Sequence, residues 1–172
     1  YGYDKIHKQG FNIKTPINLE LQNLAALSLR KGLLEYDKRK GWRGSLENRK
    51  NKNWYNNLEM FNLEKSIGWE IAIVKRIDKF ETVIQTANKE NGTISYEDIN
   101  WTRKDFNEIF KVNDLIYVKK ISEGTFSLRQ LPNVNGGIVV IDPFTGEVLS
   151  LVGGFNFRKS EFNRVTQAKR QP

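Results

Sequence analysis

Residues 68–131 read GWEIAIVKRIDKFETVIQTANKENGTISYEDINWTRKDFNEIFKVNDLIYVKKISEGTFSLRQL, and this stretch decides the fold. Five short segments in it are rich in Ile, Val, Thr and aromatic residues, which is typical of β-strands: 69–74, 81–87, 93–96, 114–121 and 125–131. Between the third and the fourth, residues 101–110 predict a helical turn that closes one end of a barrel. The pattern fits a small OB-like barrel, and it equally fits other small β-barrels.

Residues 18–40, ahead of these strands, carry the apolar spacing of a long amphipathic helix. Its apolar residues recur at intervals of four and three and therefore share one face: Leu21, Ala25, Leu29, Leu33 and Tyr36, with Leu24 and Leu27 widening the stripe. Asn18 is the predicted N-cap, and the basic residues before Gly41 suit the negative end of the helix dipole. A short strand is predicted over 10–15.

Two apolar runs, 138–141 and 148–152, follow the barrel segments and flank the turn DPFTG at 142–146. Proline near the start of the turn and glycine at its end favour a tight reversal. The runs consist almost entirely of Val, Ile and Leu, which predicts a β-hairpin buried on both faces. Because the helix and the hairpin both need apolar partners, we predict that they pack on each other.

The composition limits the classes of function open to this chain. Its 172 residues allow one ordinary domain, or a small domain and pieces of another. The absence of cysteine excludes a disulfide framework, a thiolate zinc site and a cysteine nucleophile. His7 is the sole histidine, so we predict a surface residue there and no metal or cofactor. No apolar run is long enough to cross a membrane.

Candidate catalytic groups fail on spacing or context. A serine nucleophile of the S-x-x-K type needs a lysine one helical turn further on, and the serines that we considered lack one: Ser66, Ser122, Ser127, Ser150 and Ser160. The carboxylate pairs Glu97/Asp98 and Glu59/Glu64 lie in polar stretches and are predicted to be solvated. Gly153 and Gly154 lack the pattern of a dinucleotide loop and predict a close approach of two backbones.

The hairpin and the residues after it resemble the start of the transpeptidase domain of class A penicillin-binding proteins of Gram-negative type. The matching residues are Asp142, Pro143, Thr145, Gly146 and the stretches 152–155, 162–164 and 166–172. The helix matches the family's junction segment at Thr15, Ile17, 21–22 and 25–26. Within the barrel region the matches are 101–103, 128–132 and 110–114, where Asn113 replaces the usual glycine. Asparagine tolerates a left-handed backbone best among the other residues.

This resemblance implies an internal piece of a bifunctional peptidoglycan synthase. The implied domains are a linker strand and helix over 1–40, an OB-like insert over 41–135 and the first hairpin of the transpeptidase domain over 136–172. The nucleophilic serine is expected just after Pro172, so no catalytic residue is assigned. The resemblance also implies the periplasmic side of the inner membrane, a single-pass anchor in the parent, and a barrel that meets the glycan strand or a regulatory periplasmic or outer-membrane protein.

An alternative is a binding module for single-stranded nucleic acid. The net charge of +8 suits nucleic acid, an anionic membrane face or an acidic polymer, although abundant Lys, Asn and Ile also suit an AT-rich genome. Bases would stack on exposed aromatic side chains, here Trp42, Trp54, Tyr55, Trp69, Phe80 and Trp101. Such binding needs aromatic residues on the second and third strands, where the sequence offers Tyr96. We therefore disfavour this alternative.

Overall fold

A computed structural model describes residues 12–61 and 63–169. Three helices, α1 to α3, span Leu19–Lys38, Tyr96–Ile99 and Phe106–Ile109, and short 3-10 helices span Glu59–Phe61, Lys65–Ile67 and Asn100–Thr102. Eight strands, β1 to β8, span Glu47–Asn48, Glu70–Ile77, Glu81–Thr86, Asn91–Ser95, Asp114–Ser122, Thr125–Arg129, Ile138–Ile141 and Val148–Val152.

Strands β2 to β6 close into a five-stranded barrel. The order around it is β2-β3-β4-β6-β5 and back to β2, with β4 and β6 parallel through Thr93 and Thr125 and all other pairs antiparallel. Strand β1 extends the sheet beside β5. This is the OB arrangement, in which the third and fifth strands close the barrel in parallel. The predicted fold class is confirmed: mainly β with one long helix, and an OB-like barrel between that helix and a hairpin.

Alternate side chains of each strand point into the barrel and form its core. The interior residues are Ala72, Val74, Ile84, Ile94, Ile116, Val118, Phe126 and Leu128. Side chains between β4 and β5 fill one end, as predicted: Ile99, Phe106, Ile109 and Phe110, with Trp42 and Trp101 packed against them. The barrel therefore has a hydrophobic core of its own.

A second cluster covers the outward side of β2 and β5. Ile71, Ile73, Leu115 and Tyr117 point away from the barrel, and Trp54 and Leu58 of the preceding loop cover them. Burial on both faces explains why β2 is apolar at nearly every position. Trp54 is 4 % exposed although the loop around it is rich in Asn and Lys.

Helix α1 begins and packs largely as predicted. The Asn18 side chain accepts a hydrogen bond from the Leu21 N–H at 3.0 Å and caps the helix. Ala25 and Leu29 are buried in a helix that contacts both strands of the hairpin, which confirms the predicted packing. The predicted apolar stripe is wider than the buried face of the helix. Because the hairpin is narrow, three residues of the stripe are exposed: Leu24, Leu27 and Tyr36.

The segment before α1 and the outer face of the hairpin differ from the predictions. Residues 12–18 form no strand, because no neighbouring strand among the described residues pairs with them; the rest of the 10–15 prediction and His7 lie outside the described residues. The hairpin is covered by α1 on one side, whereas Val139 and Ile141 are 42 % and 52 % exposed. Burial of both hairpin faces is therefore wrong for this chain.

Candidate functional site

A buried carboxylate joins the end of α1 to the exit of the barrel. The Asp37 side chain, 3 % exposed, accepts hydrogen bonds from Arg43 Nη1 at 2.9 Å, Gln130 Nε2 at 2.9 Å and the Asn133 N–H at 3.0 Å. A negative charge at a helix C-terminus opposes the helix dipole and is costly to bury without donors. These three donors come from the segments entering and leaving the barrel, so Asp37 fixes both to the helix.

Arg43 and Gln130 complete this junction by bonding to each other and to the backbone. The Arg43 N–H donates to Gln130 Oε1 at 2.8 Å, and its Nη2 donates to the Leu131 carbonyl at 2.6 Å. Gln130 Nε2 also donates to the Gly41 carbonyl at 3.1 Å. We call Asp37, Arg43 and Gln130 the junction triad.

Arg30, two turns earlier on α1, forms a second connection. Its guanidinium donates to the Phe155 carbonyl at 3.0 Å, to Ser66 Oγ at 3.1 Å and to Glu64 Oε2 at 2.7 Å. Glu64 in turn accepts from the Phe157 N–H at 2.5 Å. This cluster ties the helix, the loop after the hairpin and the segment leading into β2 together.

The helix is also hydrogen-bonded to the edge of the hairpin. Gln22 uses both ends of its amide: Oε1 accepts from Ser150 Oγ at 3.1 Å and the Leu151 N–H at 2.9 Å, and Nε2 donates to the Leu151 carbonyl at 3.0 Å. The Asn18 N–H donates to the Leu149 carbonyl at 2.9 Å. These bonds satisfy backbone groups of β8 and fix the register between helix and strand.

The two glycines after β8 allow the next loop to approach the strand end. A Cβ on Gly153 would lie 2.8 Å from Asn163 Cα, and one on Gly137 would lie 2.6 Å from Val165 Cγ2. The Arg164 N–H donates to the Gly153 carbonyl at 3.1 Å. The predicted close approach of two backbones is confirmed, and it positions the loop that leads toward Pro172.

Three of the serines considered as nucleophiles have side-chain partners within the described part of the chain. Ser150 bonds Gln22, Ser66 donates to Glu64 at 3.3 Å, and Ser160 Oγ lies 3.5 Å from Arg164 Nη2. The Ser127 hydroxyl is buried without a partner among residues 12–61 and 63–169. The expectation of a catalytic serine just after Pro172 stays a prediction, and Pro172 itself lies outside the described residues.

One carboxylate of each candidate pair has a structural partner. Of the carboxylate pairs, Glu64 binds Arg30, and Asp98 accepts from Ser95 Oγ at 2.8 Å. In the loop after the hairpin, Lys159 Nζ donates to the Met60 carbonyl at 2.5 Å. Across the described part of the chain no cluster of three His, Asp or Glu side chains is placed to hold a metal, and no helix there has the length and apolarity to span a membrane.

The barrel offers little for base stacking. The outward positions of β3 and β4 carry no aromatic side chain: Glu81, Val83, Gln85, Asn91, Thr93 and Ser95. The expectation of exposed tryptophans is wrong, because all four indoles pack in or against the two clusters. Within the described part of 41–135, the large exposed aromatics are Phe80 at the β2–β3 turn, 76 % exposed, and Tyr96 and Tyr55. This surface does not favour the nucleic-acid alternative.

Comparison with known proteins agrees with this geometry. A family model described as the penicillin-binding protein OB-like domain matches residues 40–134. The chain belongs to that family. The matched range contains the whole barrel together with Arg43 and Gln130 of the junction triad, and Asp37 lies just before it.

Relatives named penicillin-binding protein 1A match almost the entire chain. Those from Rickettsia conorii, Pseudomonas aeruginosa and Escherichia coli are 38 %, 31 % and 29 % identical over 95 %, 100 % and 99 % of it. The chain spans only 21–22 % of the length of these relatives. A crystal structure of penicillin-binding protein 1A from Haemophilus influenzae matches with a TM-score of 0.77 at 25 % identity, over 95 % of this chain and 26 % of that one.

Sequence reasoning missed the junction triad. Asp37 continues the spacing of four that runs through Ala25, Leu29 and Leu33, so it occupies the next position of the buried stripe. A carboxylate at such a position needs a buried partner. An acidic residue in the apolar stripe was therefore the sequence signal that could have indicated the junction triad. The partner Arg43 lies in the Gly-Trp-Arg-Gly segment after the helix.

Proposed function

We propose that this chain is a non-catalytic, linking and regulatory portion of a bifunctional peptidoglycan synthase. The observation that supports this most directly is the junction triad, which holds both ends of the barrel segment on the last turn of α1. The barrel is thereby held at a fixed orientation on the helix–hairpin unit. In this proposal 1–40 and 136–172 form the edge of a transpeptidase domain, and 41–135 is an insert.

The parent protein in this proposal polymerises glycan strands and crosslinks peptide stems at D-Ala-D-Ala. Its acylated serine follows Pro172, and the protein is anchored in the inner membrane with this region on the periplasmic side. The barrel meets either the glycan strand or a regulatory periplasmic or outer-membrane protein. Phe80 at the β2–β3 turn is 76 % exposed and offers an apolar surface for such contacts.

The test compares the isolated chain with the complete synthase. We expect the 172-residue chain to form no covalent adduct with a labelled penicillin and to leave lipid II unpolymerised, whereas the complete protein does both. In the complete protein, Arg43→Ala loosens the barrel, and we expect the ratio of crosslinks to glycan length to change at least threefold.

Arg76→Ala is the matched control for this experiment. Arg76 also pairs with an aspartate, Asp78, at 2.9 Å, but at an exposed turn of the barrel away from the junction. We expect the control to match the parent protein in both activities. A covalent penicillin adduct on the isolated chain contradicts the non-catalytic assignment. Unchanged crosslinking in an Arg43→Ala protein whose barrel is demonstrably loosened contradicts the regulatory role.

A further inference from the structure

A cleft of about 320 Å³ lies between α1 and the outward face of β5 and β6. Lys119 and Arg129 line it from the strands, because their neighbours Val118 and Leu128 point into the barrel core. Lys38, at the end of α1, lines the opposite wall. The lining also includes the indoles of Trp69 and Trp101. Five of the lining residues define what we call the cationic cleft: Lys38, Lys119, Arg129, Trp69 and Trp101.

The cleft carries an excess of positive charge. Five cationic side chains line it against two carboxylates, Glu35 and Asp37. The Asp37 carboxylate is already paired with Arg43, so it does not neutralise the cations of the cleft. Arg30 is already paired with Glu64 and adds no free positive charge. Within the lining, Glu35 is the one carboxylate left for the other four cations, and it already lies 3.9 Å from Lys31: Lys31, Lys38, Lys119 and Arg129. Asp98, outside the lining, also attracts Lys38 and Arg129.

The cations of the cationic cleft have no carboxylate partner within ion-pair distance in the described part of the chain. Lys38, Lys119 and Arg129 form no ion pair there within 4.0 Å. Arg129 donates to its neighbour's carbonyl, that of Leu128, at 3.1 Å. The Lys38 ammonium lies 5.6 Å from the centroid of the Trp101 ring, and the buried Trp101 Nε1 finds no hydrogen-bond partner among these residues.

Burial makes the positive charges of Lys38 and Arg129 costly. It lowers the pKa of the Lys38 ammonium, and the nearby charge of Arg129 lowers it further, against weaker opposition from Glu35 and Asp98. Burial also lowers the pKa of Arg129, with Asp98 acting in the opposite direction. On the strands, Lys119 lies opposite Ser127, so Arg129 is its diagonal neighbour, a distance over which like charges repel. A bound anion would offset the cost of burying Lys38 and Arg129 and the repulsion between the neighbouring cations.

We propose that the cationic cleft binds a carboxylate or phosphate group carried by a small molecule or chain end, whose apolar part lies against Trp69. The guanidinium of Arg129 presents parallel N–H donors that match either group, and Lys38 and Lys119 add point charges. The volume falls at the lower end of the range for small-ligand sites and exceeds what one inorganic anion fills. The indoles supply the flat apolar surface that such sites commonly contain.

The test is a titration of the ¹⁵N-labelled 172-residue chain with sodium phosphate and with sodium acetate at constant ionic strength, followed by NMR. We expect saturable shifts of the Arg129 Nε–H and Trp101 Nε1–H signals. Replacing one charged donor should weaken binding about tenfold or more, so Arg129→Gln and Lys38→Gln are the test variants. Arg76→Gln removes the same charge at an exposed turn and should bind as the parent chain does.

Two further probes separate the sources of the anionic group. A disaccharide-tripeptide from peptidoglycan offers carboxylates, and dihexanoyl-phosphatidylglycerol below its micellar concentration offers a phosphate diester. Displacement of phosphate by one of them identifies the source, whereas displacement by neither contradicts the apolar part of the proposal. Shifts that rise linearly without saturation, or that weaken equally in Arg76→Gln, overturn the site. Two independent variants keep the test informative should one fail to fold.

Discussion

Removing the Asp37 carboxylate should separate the barrel from the helix–hairpin unit. Asp37→Ala deletes three hydrogen bonds, one of them the ion pair with Arg43, from a side chain that is 3 % exposed. Breaking a buried pair by removing one partner costs about 3–5 kcal/mol. Because the Arg43 side chain is 30 % exposed and reaches water, the lower end applies, and we expect a loss of about 3 kcal/mol.

Asp37→Asn provides a graded comparison. An asparagine oxygen can still accept from Arg43 and from the Asn133 N–H, but its amide then faces the Gln130 amide, so one hydrogen bond becomes a contact between two donors. We expect a loss of about 1–3 kcal/mol, since one donor is left unsatisfied. The order of stability should therefore be parent, Asp37→Asn, Asp37→Ala.

Urea unfolding of the 172-residue chain, followed by tryptophan fluorescence, measures these losses. A double-mutant cycle with Arg43→Ala isolates the pairwise energy, which should exceed about 1 kcal/mol for a pair in contact. Hydrogen exchange supplies a local readout: in Asp37→Ala the Asn133 amide should lose more protection than Val74 in the barrel core. A loss below 1 kcal/mol, or additive single variants, would refute the account of the junction triad.

Three further predictions concern the barrel itself. Gly92→Ala places a Cβ 2.5 Å from Phe126 Cε2, and we expect this overpacking to cost about 1–3 kcal/mol in urea unfolding; an unchanged midpoint would contradict the close crossing of β4 and β6. Asn113→Ala puts alanine at a φ of 73° and should cost about 1 kcal/mol, whereas Asn113→Gly should not. Burial raises the pKa of Tyr117, whose hydroxyl donates to the Phe61 carbonyl at 2.6 Å, to about 12. The neutral phenol therefore adds stability below pH 10 that disappears by about pH 12. Across that window the unfolding free energy of the parent chain should fall by about 1–2 kcal/mol relative to Tyr117→Phe. Parallel curves of unfolding free energy against pH for the two proteins would argue against this.

The strands and the long helix were predictable because local periodicity and burial agree there. Asn18 caps α1 as its side chain and position indicate, and Asn113 adopts the left-handed backbone expected of a residue in a glycine position. Predictions failed where burial depends on a distant segment. Leu24 and Leu27 are exposed because the hairpin is narrower than the apolar stripe, and Trp54 is buried because the outward face of β2 and β5 is apolar.

The candidate sites were less accessible to sequence reasoning than the fold. The junction triad joins residues far apart in the chain, Asp37 with Gln130, through side chains whose types alone indicate a solvated surface. The cationic cleft likewise exists because barrel closure brings Arg129 opposite the end of α1. No spacing rule connects Lys38 with Arg129, a strand residue ninety-one positions later, so only the tertiary structure reveals their shared environment.

The meeting of entry and exit at one point also makes the barrel a portable unit. Gly41 and Gln130 are joined by a 3.1 Å hydrogen bond, so a linker of a few residues would bridge the gap left by excising everything between them. The helix–hairpin unit would keep its own contacts through Gln22 and Ser150. An exchange of this segment would have to supply new partners for Asp37 and Arg30, because Arg43 and Glu64 leave with it.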